Sequence, residues 1–348
     1  MRLLLRAIKR LLLALLVLAA GGWVALAFAF QLPFGPRLTV AAIVIWALFV
    51  VAIALNELVR PTWRSRVLYL VALVGVAAWY STIRPSNDRD WAEAVEHGVT
   101  GTVDGDIVTL QNVRDFDWRS EVDVTPRWQT RRYDLAKLSS VDLVLAYWDG
   151  PALAHTILSF GFSSGDHIAF SAEIRPEVNE SFSALGGFFR MFELVLIGAD
   201  ERDVIRLRTT IRGEDVYLYP LAMPQPAMRA LFLSFVDLGN DLAATPRFYN
   251  TITTNCTTVV FRLVQALDPG GLPFDWRILV SGFLPGYIFD RQEHPPGMTL
   301  EEFRANASIS ERGRQAGSAL DFSSRIRAPA AAPTSPTPET PATETTTP

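Results

Sequence analysis

The sequence predicts an α+β protein, with three N-terminal transmembrane helices followed by one extracytoplasmic domain of mostly antiparallel sheet and packed helices. Three observations carry this. Hydrophobic residues make up 49% of the 348 residues and mean hydropathy is +0.20, an excess that points to membrane segments. That excess sits at the front of the chain. Behind it, short β-type runs bounded by turn residues give way to helix-periodic runs, the order expected of strands packed beneath later helices.

Residues 11–30, 38–55 and 67–83 carry no charged side chain, and each is close to the roughly 20 residues that cross a bilayer. Gly75 interrupts the third. The first run is longer than the roughly 7–15-residue apolar core of a signal peptide and a second span follows almost at once, so it reads as an anchor. Arg2, Arg6, Lys9 and Arg10 precede the first span and Arg60, Arg64 and Arg66 separate the second from the third, against Arg37 alone in the remaining loop. The positive-inside rule puts the N-terminus and residues 60–66 in the cytoplasm. A membrane domain over residues 1–84 with three crossings then delivers everything after about Arg84 outside the cytoplasmic membrane.

The outer domain is expected over residues 86–322, long enough for one substantial core. Residues 91–97 read as a short helix. Val103-Asp104-Gly105-Asp106-Ile107-Val108 places an Asp-Gly turn between apolar positions, a strong hairpin signal. Residues 122–124 and 141–148 continue the β pattern. Residues 154–162 and 167–175 flank a Gly-containing turn at Gly165 and read as a second hairpin; with Phe162 facing His167, the register puts His155 near Ile174 and brings Glu173 or Arg175 within reach on a one-residue slip. Residues 192–197, 204–207 and 216–219 read as further strands. A helix begins at Pro226, carries Met228, Leu231, Phe232, Phe235 and Leu238 on one face, and ends near Gly239 and Asn240. From about residue 325 to 348 the chain is Ala, Pro and Thr with almost no large apolar side chain, a disordered tail by composition. There is no internal repeat.

Val259, Val260, Leu263, Val264 and Leu267 recur on one helical face directly after Thr254-Asn255-Cys256-Thr257-Thr258. Cys256, the one cysteine of the chain, therefore falls in a first helical turn with Thr254 or Asn255 as N-cap, where unpaired amides and the helix dipole favour a thiolate. A lone cysteine is more often a small core residue, so a nucleophile needs a base. Of the four histidines, His97, His167 and His294 sit in loops or turns. His155 opens an apolar strand, where packing alone is a poor reason for an imidazole, although a hydrogen-bonded core histidine is the bland alternative. Glu173 can fix the imidazole from across the hairpin or simply pair with Arg175 in solvent. Asn255 and the Cys256 amide are candidate oxyanion donors. The charge-rich run through Arg190, Glu193, Arg202, Asp203, Arg206, Arg208, Arg212, Glu214 and Asp215 reads as a solvated face. Net charge is −4, which gives no nucleic-acid footprint. With a single cysteine and no His-x-x-His spacing no metal site is expected, and no Gly-rich phosphate loop signals a cofactor. Oligomeric state is left open.

Tyr147-Trp148-Asp149, His155-Thr156-Ile157-Leu158-Ser159-Phe160, Ser171-Ala172-Glu173-Ile174-Arg175, the run from Asp200 to Thr209, and Thr254-Asn255-Cys256-Thr257-Thr258 together resemble the Lnb N-terminal periplasmic domain family, collinearly across most of residues 106–267. The resemblance implies a bacterial protein of the inner membrane with a periplasmic, thiol-dependent acyltransferase domain. The founding enzyme moves an acyl chain within a lipoprotein, from the sn-2 position of its diacylglyceryl-cysteine to the α-amino group. By resemblance Cys256 is the nucleophile that carries the acyl thioester, His155 the base and Glu173 its partner, with membrane lipids or lipoproteins as substrates. The order of histidine on a strand before cysteine at a helix start also resembles permuted papain-like and NlpC/P60-type folds. Two other readings stay open: a cell-wall cysteine peptidase or amidase using the same dyad, and a non-catalytic membrane-anchored binding or assembly domain with Cys256 buried.

Overall fold

A computed structural model describes residues 1–267 and 273–329. Helices α1 (Arg2–Gln31), α2 (Pro36–Val59) and α3 (Trp63–Thr82) are each long and apolar enough to cross a membrane. α3 runs unbroken through Gly75. A Cβ on Gly21 would lie 2.5 Å from Val50 Cγ1, and Trp46 Nε1 donates to Gly21 O at 2.9 Å, so the α1–α2 crossing requires glycine there. Glu57, buried near the end of α2, would be costly in an apolar setting. Arg66 on α3 meets both its oxygens, at 2.9 and 2.6 Å.

The globular domain is built on one sheet. β1 (Thr100–Asp104), β2 (Ile107–Arg114), β5 (Trp128–Asp134), β6 (Leu138–Tyr147), β7 (Ala154–Phe162), β8 (His167–Arg175), β9 (Glu193–Ala199) and β10 (Asp215–Pro220) belong to it, while β3 (Asp117–Trp118) and β4 (Val124–Thr125) pair separately. The order is β1-β2-β9-β8-β7-β6-β10, with β5 also on β2. Every pairing is antiparallel except β2 with β9. This is the expected α+β architecture. In the first hairpin Asp104 pairs with Ile107, so the central turn residues are Gly105 and Asp106, and Gly105 takes φ +61°. Glycine at the first central position is what a type II′ turn requires.

All nine residues of β7 are buried, which explains why the strand shows no polar alternation: helices cover both faces. On one face Phe160, Phe170, Phe232 and Phe235 form an aromatic cluster, with Phe170 and Phe235 stacked at 5.0 Å. The opposite face carries Ile157, Ala169, Val204, Ile205, Phe322 and Ile326.

Residues 204–207 are not a strand. They lie in α4 (Glu201–Arg206) and the π-helical turn Leu207–Ile211 that continues it. Two adjacent apolar residues cannot separate period 2 from period 3.6, and the Asp200 side chain, accepting from Arg202 N at 2.9 Å, decides for helix. α5 (Gln225–Ala244) runs past Gly239 and Asn240. Those two residues dock it instead of ending it: a Cβ on Gly239 would stand 2.4 Å from Val99 O, and the Asn240 amide bonds both Gly101 N and Gly101 O. α6 (Cys256–Leu267) follows, then α7 (Leu284–Phe289), α8 (Leu300–Ala307), α9 (Ser310–Ala316) and α10 (Phe322–Arg327). The expected tail therefore begins later than residue 325, because Ile326 is fully buried and Arg327 reaches Asp142 and Glu201. The rest of that stretch, from residue 330, lies outside the described residues.

The domain sits directly on the membrane helices. Gln31 Nε2 donates to Phe189 O at 2.7 Å, the Phe189 ring stacks on Phe30 at 5.6 Å and contacts Trp23 at 5.7 Å, and Arg190 Nη1 donates to Tyr80 O at 2.9 Å.

Candidate active site

β7 and β8 place the imidazole. Their observed pairing joins Gly161 to His167 and Ile157 to Ser171, one residue away from the Phe162–His167 alternative. Continued, this register sets His155 opposite Glu173. His155 Nε2 lies 3.0 Å from Glu173 Oε1 and 2.6 Å from Ser171 Oγ, and Ser171 Oγ donates to Glu173 Oε1 at 2.8 Å. An Nε2 proton directed at these two acceptors fixes the tautomer, leaving Nδ1 as the ring nitrogen for a further partner.

That partner is Cys256. The β7–β8 ladder stops at Ile157–Ser171, so β7 is free of β8 beside His155. The Cys256 sulfur lies within hydrogen-bonding reach of the imidazole and of the freed Thr156 N–H. α6 packs on the face of Thr156, whose hydroxyl meets Thr257 Oγ1 at 2.7 Å, whereas strand alternation puts His155 on the face of Ser171 and Glu173. Thiol and imidazole thus approach from opposite sides of the sheet through the opening between two strands.

Asn255 holds the helix start. Its Oδ1 accepts from Thr257 N at 3.0 Å and Thr258 N at 2.8 Å, and its Nδ2 donates to Thr251 O at 2.7 Å. These bonds make it the N-cap. Its oxygen cannot donate, and one hydrogen of its NH2 goes to Thr251 O, which leaves a single amide hydrogen for an oxyanion.

Burial, and then Arg208, work against a charged His155, but Glu173 and the Cys256 sulfur outweigh them and raise its pKa to about 9. Burial likewise works against a Cys256 thiolate, yet the His155 charge and hydrogen bond, with the Thr156 N–H, bring the thiol below its ordinary range. For Glu173 burial opposes ionisation, and His155, Arg208 and Ser171 together hold the carboxylate well below its usual range. The pair is therefore inclined toward thiolate and imidazolium.

Several residues were not read from the sequence. Ser171 was legible in principle, being two positions from Glu173 and so on the same strand face. Arg208, buried in the π-helical turn, places Nη2 3.5 Å from Glu173 Oε1 and Nη1 3.3 Å from Glu214 Oε2. Asp203 is fully buried and accepts from Arg114 Nε at 2.9 Å. The charge-rich run is thus not one solvated face, and only the fold, by pairing each of these charges with a distant partner, makes their burial tolerable. Burial first, then the Cys256 and Glu173 charges, hold the Tyr249 hydroxyl well above its ordinary range, placing it beside the same centre.

The other histidines stay apart. His97 lies edge-on to Trp128 at 5.2 Å, His167 Nδ1 meets Gly165 O in its hairpin turn, and His294 is stacked on Phe289 at 4.3 Å rather than solvated. Among the described residues no group of three His, Cys, Asp or Glu side chains is arranged to hold a metal ion.

The family model of the Lnb N-terminal periplasmic domain matches residues 124–282, from β4 to just before α7, a stretch that includes His155, Ser171, Glu173, Arg208 and Cys256. No curated protein and no solved structure matches the chain. Residues 124–282, behind three helices long and apolar enough to cross a membrane, are thus similar to the Lnb N-terminal periplasmic domain.

Proposed function

We propose that this protein is a thiol-dependent acyltransferase, held by three membrane-spanning helices in the bacterial inner membrane with its N-terminus in the cytoplasm, and acting on acyl groups of lipids or lipoproteins at the periplasmic face. The observation that carries the reading is the convergence of Cys256, at a capped helix start, with His155, itself anchored by Glu173 and Ser171. Docking of the domain on the ends of α1 and α3 keeps that centre near the lipid surface, which suits a donor that cannot leave the bilayer.

In the first half-reaction the Cys256 thiolate attacks the ester carbonyl of the donor. The oxyanion takes the backbone N–H of Cys256, one of the donors unpaired at a helix start. As the tetrahedral intermediate collapses the C–O bond breaks, and His155 passes its Nδ1 proton to the departing alkoxide, leaving an acyl thioester and a lyso product. In the second, an amine or water attacks the thioester, neutral His155 takes its proton, and the thiolate leaves. Glu173 stabilises the imidazolium throughout without itself accepting a proton.

Intact-mass spectrometry of protein isolated from bacterial membranes tests this. A fatty-acyl mass increment, lost with hydroxylamine and absent from Cys256→Ala, is expected. An unmodified Cys256 that accepts no acyl group from any lipid donor while the protein remains folded overturns it.

A further inference from the structure

A groove runs along α1 and α3 on the side of the membrane helices nearest the domain. It encloses about 460 Å³ between Ala20, Trp23 and Val24 of α1 and Leu73 and Tyr80 of α3, with Arg190 at its mouth. That is within the roughly 300–1,000 Å³ of ligand-binding clefts. Apart from Arg190 and Ser81 its walls are apolar or aromatic. From Leu73 to Ser81 it extends about 12 Å at about 1.5 Å per helical residue, most of the depth of one leaflet of a hydrocarbon core about 30 Å thick. We propose that this groove seats one acyl chain of a membrane glycerophospholipid, with its phosphate on Arg190, and that this lipid is the acyl donor to Cys256.

Arg190 supplies the charge complementarity. Its Nη1 donates to Tyr80 O at 2.9 Å and Ile83 O at 3.3 Å, and its guanidinium lies over the rings of Tyr80 at 4.5 Å and Phe248 at 5.7 Å. It makes no ion pair with a carboxylate among the described residues, so Nε and Nη2 remain for an anionic oxygen, which arginine binds in a forked geometry. Its backbone takes φ +60° where it caps the short 3₁₀ turn Gly186–Phe189. In the segment leading to Arg190, Phe182, Leu185 and Phe188 are 62%, 56% and 38% exposed. Exposed apolar side chains in a segment that docks on membrane helices suit contact with lipid.

The same loop leads to the thiol. A Cβ on Gly187 would lie 2.4 Å from Thr251 Oγ1, which donates to Ala184 O at 2.8 Å, and Thr251 O in turn accepts from the Asn255 amide at 2.7 Å. The donor half of the proposal rests on the acyl-transfer reading. Its step transfers the acyl group from the phospholipid ester to the Cys256 sulfur and releases a lysophospholipid, whose new hydroxyl takes the proton from His155.

Full-length Cys256→Ala protein in liposomes, photolabelled with a phosphatidylethanolamine bearing a diazirine on its sn-2 chain, tests the site. Labelling is expected on residues 20–24 and 73–81, displaced by unlabelled phosphatidylethanolamine but not by diacylglycerol. Ala77→Trp, which fills the groove, should lower it about tenfold with the unfolding transition unchanged, and Arg190→Gln, which removes the cation together with its bonds to Tyr80 O and Ile83 O, should lower it by about tenfold, the worth of one hydrogen bond to a charged group. Uniform labelling around all three helices, insensitive to Ala77→Trp, means annular lipid only and overturns the proposal. In the reactive protein, a Cys256 thioester that forms as fast in Ala77→Trp also overturns this site while leaving acyl transfer standing. Specific labelling without a thioester from any lipid does the reverse.

Discussion

Two buried serines stand on the same face of the sheet, each bonded to a glutamate, fully buried in one case and half-buried in the other. Ser159 of β7 donates to Glu201 at 2.5 Å, and Arg327 clamps that carboxylate with Nη1 at 2.7 Å and Nη2 at 2.6 Å while also reaching Asp142 at 2.7 Å. Ser171 of β8 donates to Glu173 at 2.8 Å, but the close cation is His155, with Arg208 more distant at 3.5 Å. The first cluster is saturated by a guanidinium that does not release its proton in the physiological range. The second uses an imidazole that does, and leaves one of its nitrogens facing a thiol. Burial and carboxylate pairing are common to both; the ability to move a proton is not. Buried charge by itself therefore marks no site in this domain, and the identity of the cation decides.

Removing the reacting atoms gives the largest contrast between the clusters. Cys256→Ala removes the sulfur and should abolish thioester formation with little change in unfolding temperature, and His155→Ala should lower it by about 10²- to 10⁴-fold while also costing stability through the loss of the Glu173 pair, both read as acyl-adduct mass growth with time. Glu173→Gln adds a pH signature. The thiolate–imidazolium pair is populated from the lowered Cys256 pKa up to the His155 value of about 9, so thiol alkylation should be faster than that of an ordinary cysteine at the same pH, and activity should fall as His155 loses its proton near 9, the two groups titrating as a pair. Without the Glu173 charge, burial and Arg208 are less opposed and the alkaline limb moves to lower pH. Linkage has the same sign: a histidine raised to about 9 contributes stability that is complete below its ordinary value of about 6.5 and is lost as pH rises through about 9. Unfolding measured across that window should show this slope in the parent protein and a flatter one in Glu173→Gln; equal slopes count against the pairing.

Arg327→Met should behave in the opposite way. It strands Asp142 and Glu201 in the interior, so a loss of about 3–5 kcal/mol in chemical unfolding is expected, with the pH dependence of Cys256 alkylation unchanged. A shifted alkylation profile in a folded Arg327→Met protein would break the distinction between the clusters.

Legibility followed interaction range. The three membrane helices, the two hairpins and the start of α6 were readable because each depends on local pattern: uncharged length, turn chemistry, and a cap followed by period 3.6. The Cys256–His155 pair was readable as residue types with a strand and a helix start, yet their meeting depends on β7 and β8 parting beside His155, which no local pattern encodes. Glu173 hung on a one-residue choice of register. Arg208 lay in a segment of alternating charge with the composition of a surface, and its burial follows from partners at Glu173 and Glu214. The run from residue 204 was misread because Val204 and Ile205 are too few to show a period, and Asn240 because its cap-like identity serves a contact with Gly101.

Asn255 gives the smallest effect and the finest test of how the site is divided between structure and chemistry. Its Oδ1 accepts from two first-turn amides and one hydrogen of its NH2 goes to Thr251 O, ties that favour the helix start over the oxyanion as its role. Asn255→Ala should then cost about 1 kcal/mol of stability, as lost caps do. Asn255→Ser, which keeps a cap acceptor and removes the amide donor, should recover most of that stability and react at close to the parent rate. An oxyanion donor behaves differently: its removal lowers rate by about 10²- to 10³-fold whether or not the cap is kept. Comparing unfolding midpoint with adduct-formation rate across the two variants separates the roles, because a slow but fully stable Asn255→Ser protein would move Asn255 from the scaffold into the reaction.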